Sequence, residues 1–399
     1  IIQPGLLNTN QGPDFLQSRI RIGATSFAGS VELHLLTSHW LQHGHSADAN
    51  YKNVVLHVVY ENDLTETVAG IPVLELQHHI PKMLLNQYTR LMQSSAFIPC
   101  AQTVAHVSSL TWMAWKERLL AERLTRKAAL VNAYLKQNNN HWEESFWWLL
   151  ARNFGAKVNS DAFEAIAQSL PINILAKHKT GIHQLEALLL GQAGLLKNKF
   201  TEDYPILLQR EYAFLQKKYN LQPVVLPVHF LRMRPGNFPT IRLSQLAALI
   251  HSSAHLLSKI LEAQKITDLL PLFNVTANDY WHYHYTFETP SVFKKKILGG
   301  AMVDNIFINT VIPALFAYAL YHGEEKHKTK ALAWLETIGK ETNTITKGFE
   351  SLGVKNNSAY DSQSLIELKT KYCNDKLCLQ CAVGNAMLKN EAQNSLPVT

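Results

Sequence analysis

Alternation of apolar and polar residues organises the first hundred positions. Arg19-Ile20-Arg21-Ile22 closes a stretch from Phe15 to Ile22 and predicts a half-buried strand. Gly23 to Ser26 supplies a turn, and Phe27 to Leu36 predicts the next strand, in which Gly29 marks a bulge or a close backbone approach. The period then changes. Thr37 or Ser38 caps a short helix carrying His39, Trp40 and His43, and Gly44 ends it. Val54-Val55-Leu56-His57-Val58-Val59 is apolar enough to predict a central strand covered on both faces, from Asn53 to Tyr60. Ile71 to Leu76 predicts one more strand and Pro81 to Ser94 a helix, while Gly5 to Gly12 reads as a polar loop.

Beyond residue 106 the period becomes helical. Leu110 to Lys136 predicts a long amphipathic helix with Trp112, Trp115, Leu119, Leu120 and Leu124 on its core stripe. Helices follow near 141–153, 160–169, 181–193, 202–218 and 243–264, and Val303 to Tyr321 predicts an apolar helix kinked at Pro313. The expected organisation is therefore α+β: a mixed sheet with flanking helices over 1–105, then a larger, mainly helical domain over 106–399.

Composition is that of an ordinary globular protein, 47% hydrophobic and 17% charged. The reading finds no apolar run long enough to span a bilayer and no signal-peptide pattern, so it expects a cytoplasmic protein without a membrane partner. The opening Ile1-Ile2-Gln3-Pro4-Gly5 lacks an initiator Met, which reads as a missing N-terminal segment. The net charge of +7 is uneven: residues 1–100 hold five Lys/Arg against seven Asp/Glu, and the excess of cations lies beyond them. A basic bulk beside an acidic, His-rich region suits a grip on DNA or RNA, and equally a merely soluble surface.

Charge matters most where acids and histidines share a strand. Side chains alternate across a strand, so Glu32 and His34 share one face and Val31, Leu33 and Leu35 the other. If the first two strands pair as a hairpin, Asp14 closes on Glu32 and makes an oxygen-rich seat for Mg or Mn. Asp14, Glu32 and His34 are thus the candidate catalytic residues, with His43, His45, Asp48 and His57 in support. His39, beside that second set, lies one helical turn from His43, a spacing zinc can use. The plainer alternative is a turn-capping Asp14 beside a solvated strand face.

Cys100, Cys373, Cys378 and Cys381 equal the ligand count for zinc or an iron–sulfur cluster, and disulfides are not expected. Arg232, Arg234, Asn237 and Arg242 surround a Pro-Gly loop leading into a helix start at Leu243, a phosphate seat. Lys294, Lys295 and Lys296 form a second basic stretch, and solvated charge is the commoner meaning of such runs.

Pro13-Asp14, a spacer, then Glu32-Leu33-His34 on successive strands resembles the restriction-endonuclease-like core, of PD-(D/E)XK type, with His where its hallmark has Lys. That likeness implies a metal-dependent nuclease, or a nucleic-acid-binding module of the same fold that has lost catalysis; a zinc-dependent hydrolase is a third reading. The core's usual first helix would lie before residue 1. Gly12-Pro13-Asp14-Phe15, Gly29 to His34, Trp40, His43-Gly44-His45, Asp48, Tyr51 and Asn53 to Val59 also resemble a bacterial domain-of-unknown-function family. Arg234 to Pro239 and the late cysteines extend that likeness along the chain.

Overall fold

Five strands make one sheet in the order β1-β2-β3-β4-β5: Leu6–Leu7, Phe15–Ile22, Thr25–Leu36, Val54–Glu61 and Val73–Glu75. β1 to β3 pair antiparallel, whereas β3–β4 and β4–β5 are parallel, so the sheet is mixed. This is the computed structural model of the chain, and it describes residues 1–393 except Arg232 and Ala254. Two compact units emerge: residues 1–103 with those from 376 onward, and residues 104–375.

The strand predictions hold, with one addition. Leu6–Leu7, read as loop, is a short edge strand on Phe15 and Leu16. The hairpin register explains how the acids meet. Phe15 stands opposite Val31 and Ser18 opposite Gly29, so β2 carries one residue more than β3 between these pairs. That extra residue is accommodated by Gln17 at φ 59°, a β-bulge beside Asp14. A second irregularity lies between Ser30 and Val31, where β4 holds an extra residue. β4 is flanked by β3 and β5, and Leu56, His57, Val58 and Val59 are all buried, as a central strand requires. Ile20, Val31, Leu56 and Val58 form the small core of one sheet face. β3 is covered there only in part, since Leu33 and Leu35 are exposed.

Two glycines shape the site's backbone. Gly12 turns the chain at φ +107°, and the Asn8 side-chain amide donates to the Pro13 carbonyl at 3.0 Å to fix the loop. At Gly29 a Cβ would meet the Asn53 carbonyl oxygen at 2.4 Å and Val55 Cγ1 at 2.5 Å. Gly29→Ala is therefore expected to force β3 and β4 apart and cost about 1–3 kcal/mol, read as a lower unfolding midpoint in denaturant.

Residues 104–375 are helical around one large apolar core. Helices α1 (His39–Gln42) and α2 (Lys82–Gln93) belong to the first unit; α3 (Ser109–Gln137), α4 (Trp142–Phe154) and α5 (Ala156–Ser169) open the second. The stripe on α3 is buried at Trp115, Leu119, Leu120 and Leu124. Arg123 and Arg126 of α3 grip the buried Glu367 carboxylate, with both Arg126 amino nitrogens at 2.6 Å. The helix predicted over 243–264 is instead two, Pro239–Ser252 and Leu256–Glu262. Contrary to the sequence reading, Gly300–His322 is long and apolar enough to cross a bilayer, but 72% of its most apolar window is buried in the core. A π-helical turn at Phe307–Val311 precedes Pro313, which brings no N–H to the helical ladder.

Candidate metal centre

Asp14 and Glu32 hold each other through their backbones. The Asp14 N–H donates to Glu32 Oε2 at 3.1 Å, and the Leu33 N–H donates to Asp14 Oδ2 at 2.9 Å. Eighteen residues of separation thus become a reciprocal clamp across the β2–β3 pair. Glu32 is 5% exposed. Burial, and then the neighbouring Asp14 charge, push its carboxyl up to about 7; the Asp14 N–H bond opposes them.

Histidines crowd the other side of that carboxylate. Glu32 Oε1 is 3.4 Å from His34 Nε2 and 3.5 Å from His45 Nε2. His43 Nδ1 lies 3.2 Å from His34 Nε2. The ligand atoms of His34, His43 and His45 all fall within 4.8 Å of one another, a group able to hold a metal ion. His34 comes from β3, while His43 and His45 come from the connection between β3 and β4. That connection is tied to the sheet: Thr37 Oγ1 donates to Asn62 Oδ1 at 2.7 Å and the Ser38 N–H to Asp63 Oδ1 at 2.9 Å. Trp40 is buried beneath it, its indole N–H on Ser46 Oγ at 3.0 Å.

His45 Nε2 is buried and makes no hydrogen bond, and its approach to Glu32 does not satisfy hydrogen-bond geometry. A buried imidazole nitrogen without a partner is costly, and a cation at this point would satisfy it. His34 Nδ1 meets His57 Nε2 at 2.9 Å. If Nε2 of His34 offers its lone pair to a cation, Nδ1 carries the proton and donates to His57, the outer-partner arrangement usual for metal-ligating histidine. Burial first, then the surrounding imidazoles, lower His34 to about 4; burial and His45 do the same to His57. Both rings are therefore neutral at neutral pH, as ligation requires. The set fits a divalent cation, and its imidazoles suit zinc, iron or another first-row ion better than Mg.

The remaining predicted residues distribute unevenly. Asp48 caps the Ala49–Tyr51 turn, accepting from the Asn50 N–H at 2.9 Å, and lies outside the histidine group. His39 stands at the rim, its ring 5.9 Å from that of His34. Tyr51 was missed as a site residue: its ring stacks on His45 at 3.8 Å, and burial followed by Glu32 raises its hydroxyl pKa. Its signal was its place between Asp48 and Asn53 in the stretch that resembles the domain-of-unknown-function family, without a spacing that tied it to the acids.

Cys100, Cys378 and Cys381 share one neighbourhood in the first unit. All three are buried, and Cys100 is pushed up to about 12 by burial and then by Cys381 and Cys378. Cys373 lies in a turn of the second unit. No disulfide joins any of the four. Of the basic residues, Arg232 lies outside the described residues. Arg234 is exposed before the Pro235–Asn237 turn, and Arg242 donates to Asn237 Oδ1 at 2.6 Å. Lys294 and Lys295 are exposed, whereas Lys296 is buried, donating to the His282 and Lys294 carbonyls over the Tyr285 ring. The helix start expected at Leu243 is at Pro239.

Among comparisons with known proteins, a family model described as protein of unknown function (DUF2851) matches residues 1–344. No curated protein and no solved structure matches the chain.

Proposed function

For this chain, which belongs to the DUF2851 family, we propose a divalent-cation-dependent hydrolase of phosphodiesters in DNA or RNA. The observation that carries the reading is one pocket in which Glu32, clamped to Asp14, faces the nitrogens of His34 and His45, with His43 in the same cluster. Further support comes from the sheet. An antiparallel β2–β3 pair followed by a parallel β4, with Pro13-Asp14 before β2 and Glu32-Leu33-His34 within β3, agrees with the restriction-endonuclease-like layout. The excess of cations beyond residue 100 suits a polyanionic substrate.

His34, His43, His45 and Glu32 would hold the cation, which supplies a Lewis acid for the phosphoryl oxygen and a lowered pKa for water. His57 keeps His34 in the required tautomer. Asp14 holds Glu32 in orientation and places a second carboxylate where an attacking water can be oriented and its proton accepted. Tyr51 packs against His45 and limits its rotation. The acids and histidines act as one centre in this reading, so the nuclease and zinc-hydrolase alternatives merge. Among the described residues the cysteines do not converge as the three histidines do, so the zinc or iron–sulfur position expected for Cys100, Cys373, Cys378 and Cys381 takes no part in the proposal.

Purified protein loaded in turn with Mn, Zn, Fe(II) and Mg is assayed on single- and double-stranded DNA and RNA. Cleavage with a first-row ion, lost in Asp14→Asn, is the expected outcome. Asparagine still offers an acceptor to the Leu33 N–H, so the fold of that variant is retained. No cleavage with any ion and no metal in the purified protein would remove the proposal.

A further inference from the structure

We propose that the helical unit carries a separate anion site, a cleft that takes the phosphate groups of a small phosphorylated ligand. The cleft has a volume of about 640 Å³, in the range of small-molecule sites. Its charged lining is wholly basic: Lys127 of α3, Arg152 of α4, Lys157 of α5, and Arg242 of the Pro239–Ser252 helix. Asn153, Asn237, Asn305 and Asn309 add amide groups, and no carboxylate lines it.

The state of the individual cations points to a missing counter-charge. Arg242 is half-buried, and it donates to neutral partners: Gln245 Oε1 at 2.9 Å and Asn237 Oδ1 at 2.6 Å. Those bonds use one N–H on each terminal nitrogen and leave the charge unneutralised, and burial lowers its pKa with no acid to oppose the effect. Lys127 is likewise held by neutral oxygens, Asn309 Oδ1 at 2.6 Å and the Ile308 carbonyl at 3.5 Å. Its ammonium is pushed well down by burial and by Arg123, against the weaker pull of Glu341 and Glu367. Arg152 alone is paired, with Asp161 at 2.7 Å and with Glu164. Lys157 is exposed at the rim. The helix start at Pro239, without a side-chain cap, follows Asn237 of the lining and adds its dipole to the positive field. A dianionic phosphate supplies what the lining lacks, and Arg242 supplies the fork that binds two of its oxygens.

Calorimetry with inorganic pyrophosphate, AMP and a short single-stranded oligonucleotide tests this, with potassium chloride matched for ionic strength. Pyrophosphate or AMP is expected to bind, with affinity reduced at least tenfold in Arg242→Gln and more modestly in the surface variant Lys157→Met. The Lys157→Met result keeps the test valid should Arg242→Gln fail to fold. Binding of the oligonucleotide alone, with the same dependence on Arg242 and Lys157, would overturn the small-ligand assignment in favour of a polymer backbone. Absence of binding, or binding indifferent to both residues, would overturn the site. With metal absent, Asp14→Asn leaves the pyrophosphate and AMP affinities unchanged, which separates the outcome from that of the proposed hydrolase, on whose failure this site does not depend.

Discussion

Glu32→Gln is expected to lower metal-dependent turnover on the order of 10³-fold, the scale of losing a charge-stabilising group from a reaction centre. The change is nearly isosteric, and the amide oxygen can still accept the Asp14 N–H that Glu32 Oε2 accepts at 3.1 Å. What disappears is the negative charge facing His34 and His45. Metal content, measured on the purified variant by elemental analysis, should fall together with turnover. Thermal unfolding of the metal-free variant should not fall, because a buried carboxylate raised to about 7 opposes folding once it ionises. Loss of activity with full metal retention would assign Glu32 to proton transfer instead of ligation.

Metal affinity should weaken below about pH 7, where Glu32 takes up its proton. Glu32 keeps its proton up to about 7 in the metal-free protein, so a cation must displace it below that pH. Each further unit downward then weakens binding about tenfold, with one proton released per ion. Ordinary histidines would add their own competition near 6.5. Here His34 and His57 are lowered to about 4 and stay neutral through that window. The stability of the metal-free unit carries both signs. Glu32 contributes a cost that grows as pH rises from 4.5 to about 7, while His34 and His57 lose stability as pH falls from 6.5 towards 4. Calorimetric titration with zinc in buffers of different ionisation enthalpy measures the proton count, and Glu32→Gln should lower that count by one below pH 7.

Much of this centre was legible in the sequence because it rests on strand periodicity. Two-residue alternation placed Glu32 and His34 on one face, and the short β2–β3 turn at Gly23 brought Asp14 to them. The strand predictions survived because apolar runs such as Val54 to Val59 are constrained by burial on both sides. What could not be read was the path of residues 37–53. His45 and Tyr51 reach Glu32 only because that connection folds back over the sheet, held by Thr37 on Asn62 and Ser38 on Asp63, tertiary contacts that no spacing encodes. Asp48 was drawn into the site by its chemistry, whereas its carboxylate serves a local cap. The apolar half of β3 erred in the other direction: Leu33 and Leu35 obey the alternation and yet are left exposed. Arg242 and Lys296 show a similar limit, since a basic run looks alike whether its cations meet solvent, a cleft or a carbonyl cage.

The segment from Lys376 onward belongs with residues 1–103, where Lys376 bonds the Met92 carbonyl and Cys378 and Cys381 sit with Cys100. During synthesis, residues 1–103 therefore emerge well before the segment from Lys376 that completes their unit. More than two hundred and fifty intervening residues must be translated before that closure can occur. The intervening helical unit has local contacts enough to fold within the delay, so it can act as a folded spacer that shortens the effective loop the chain must close.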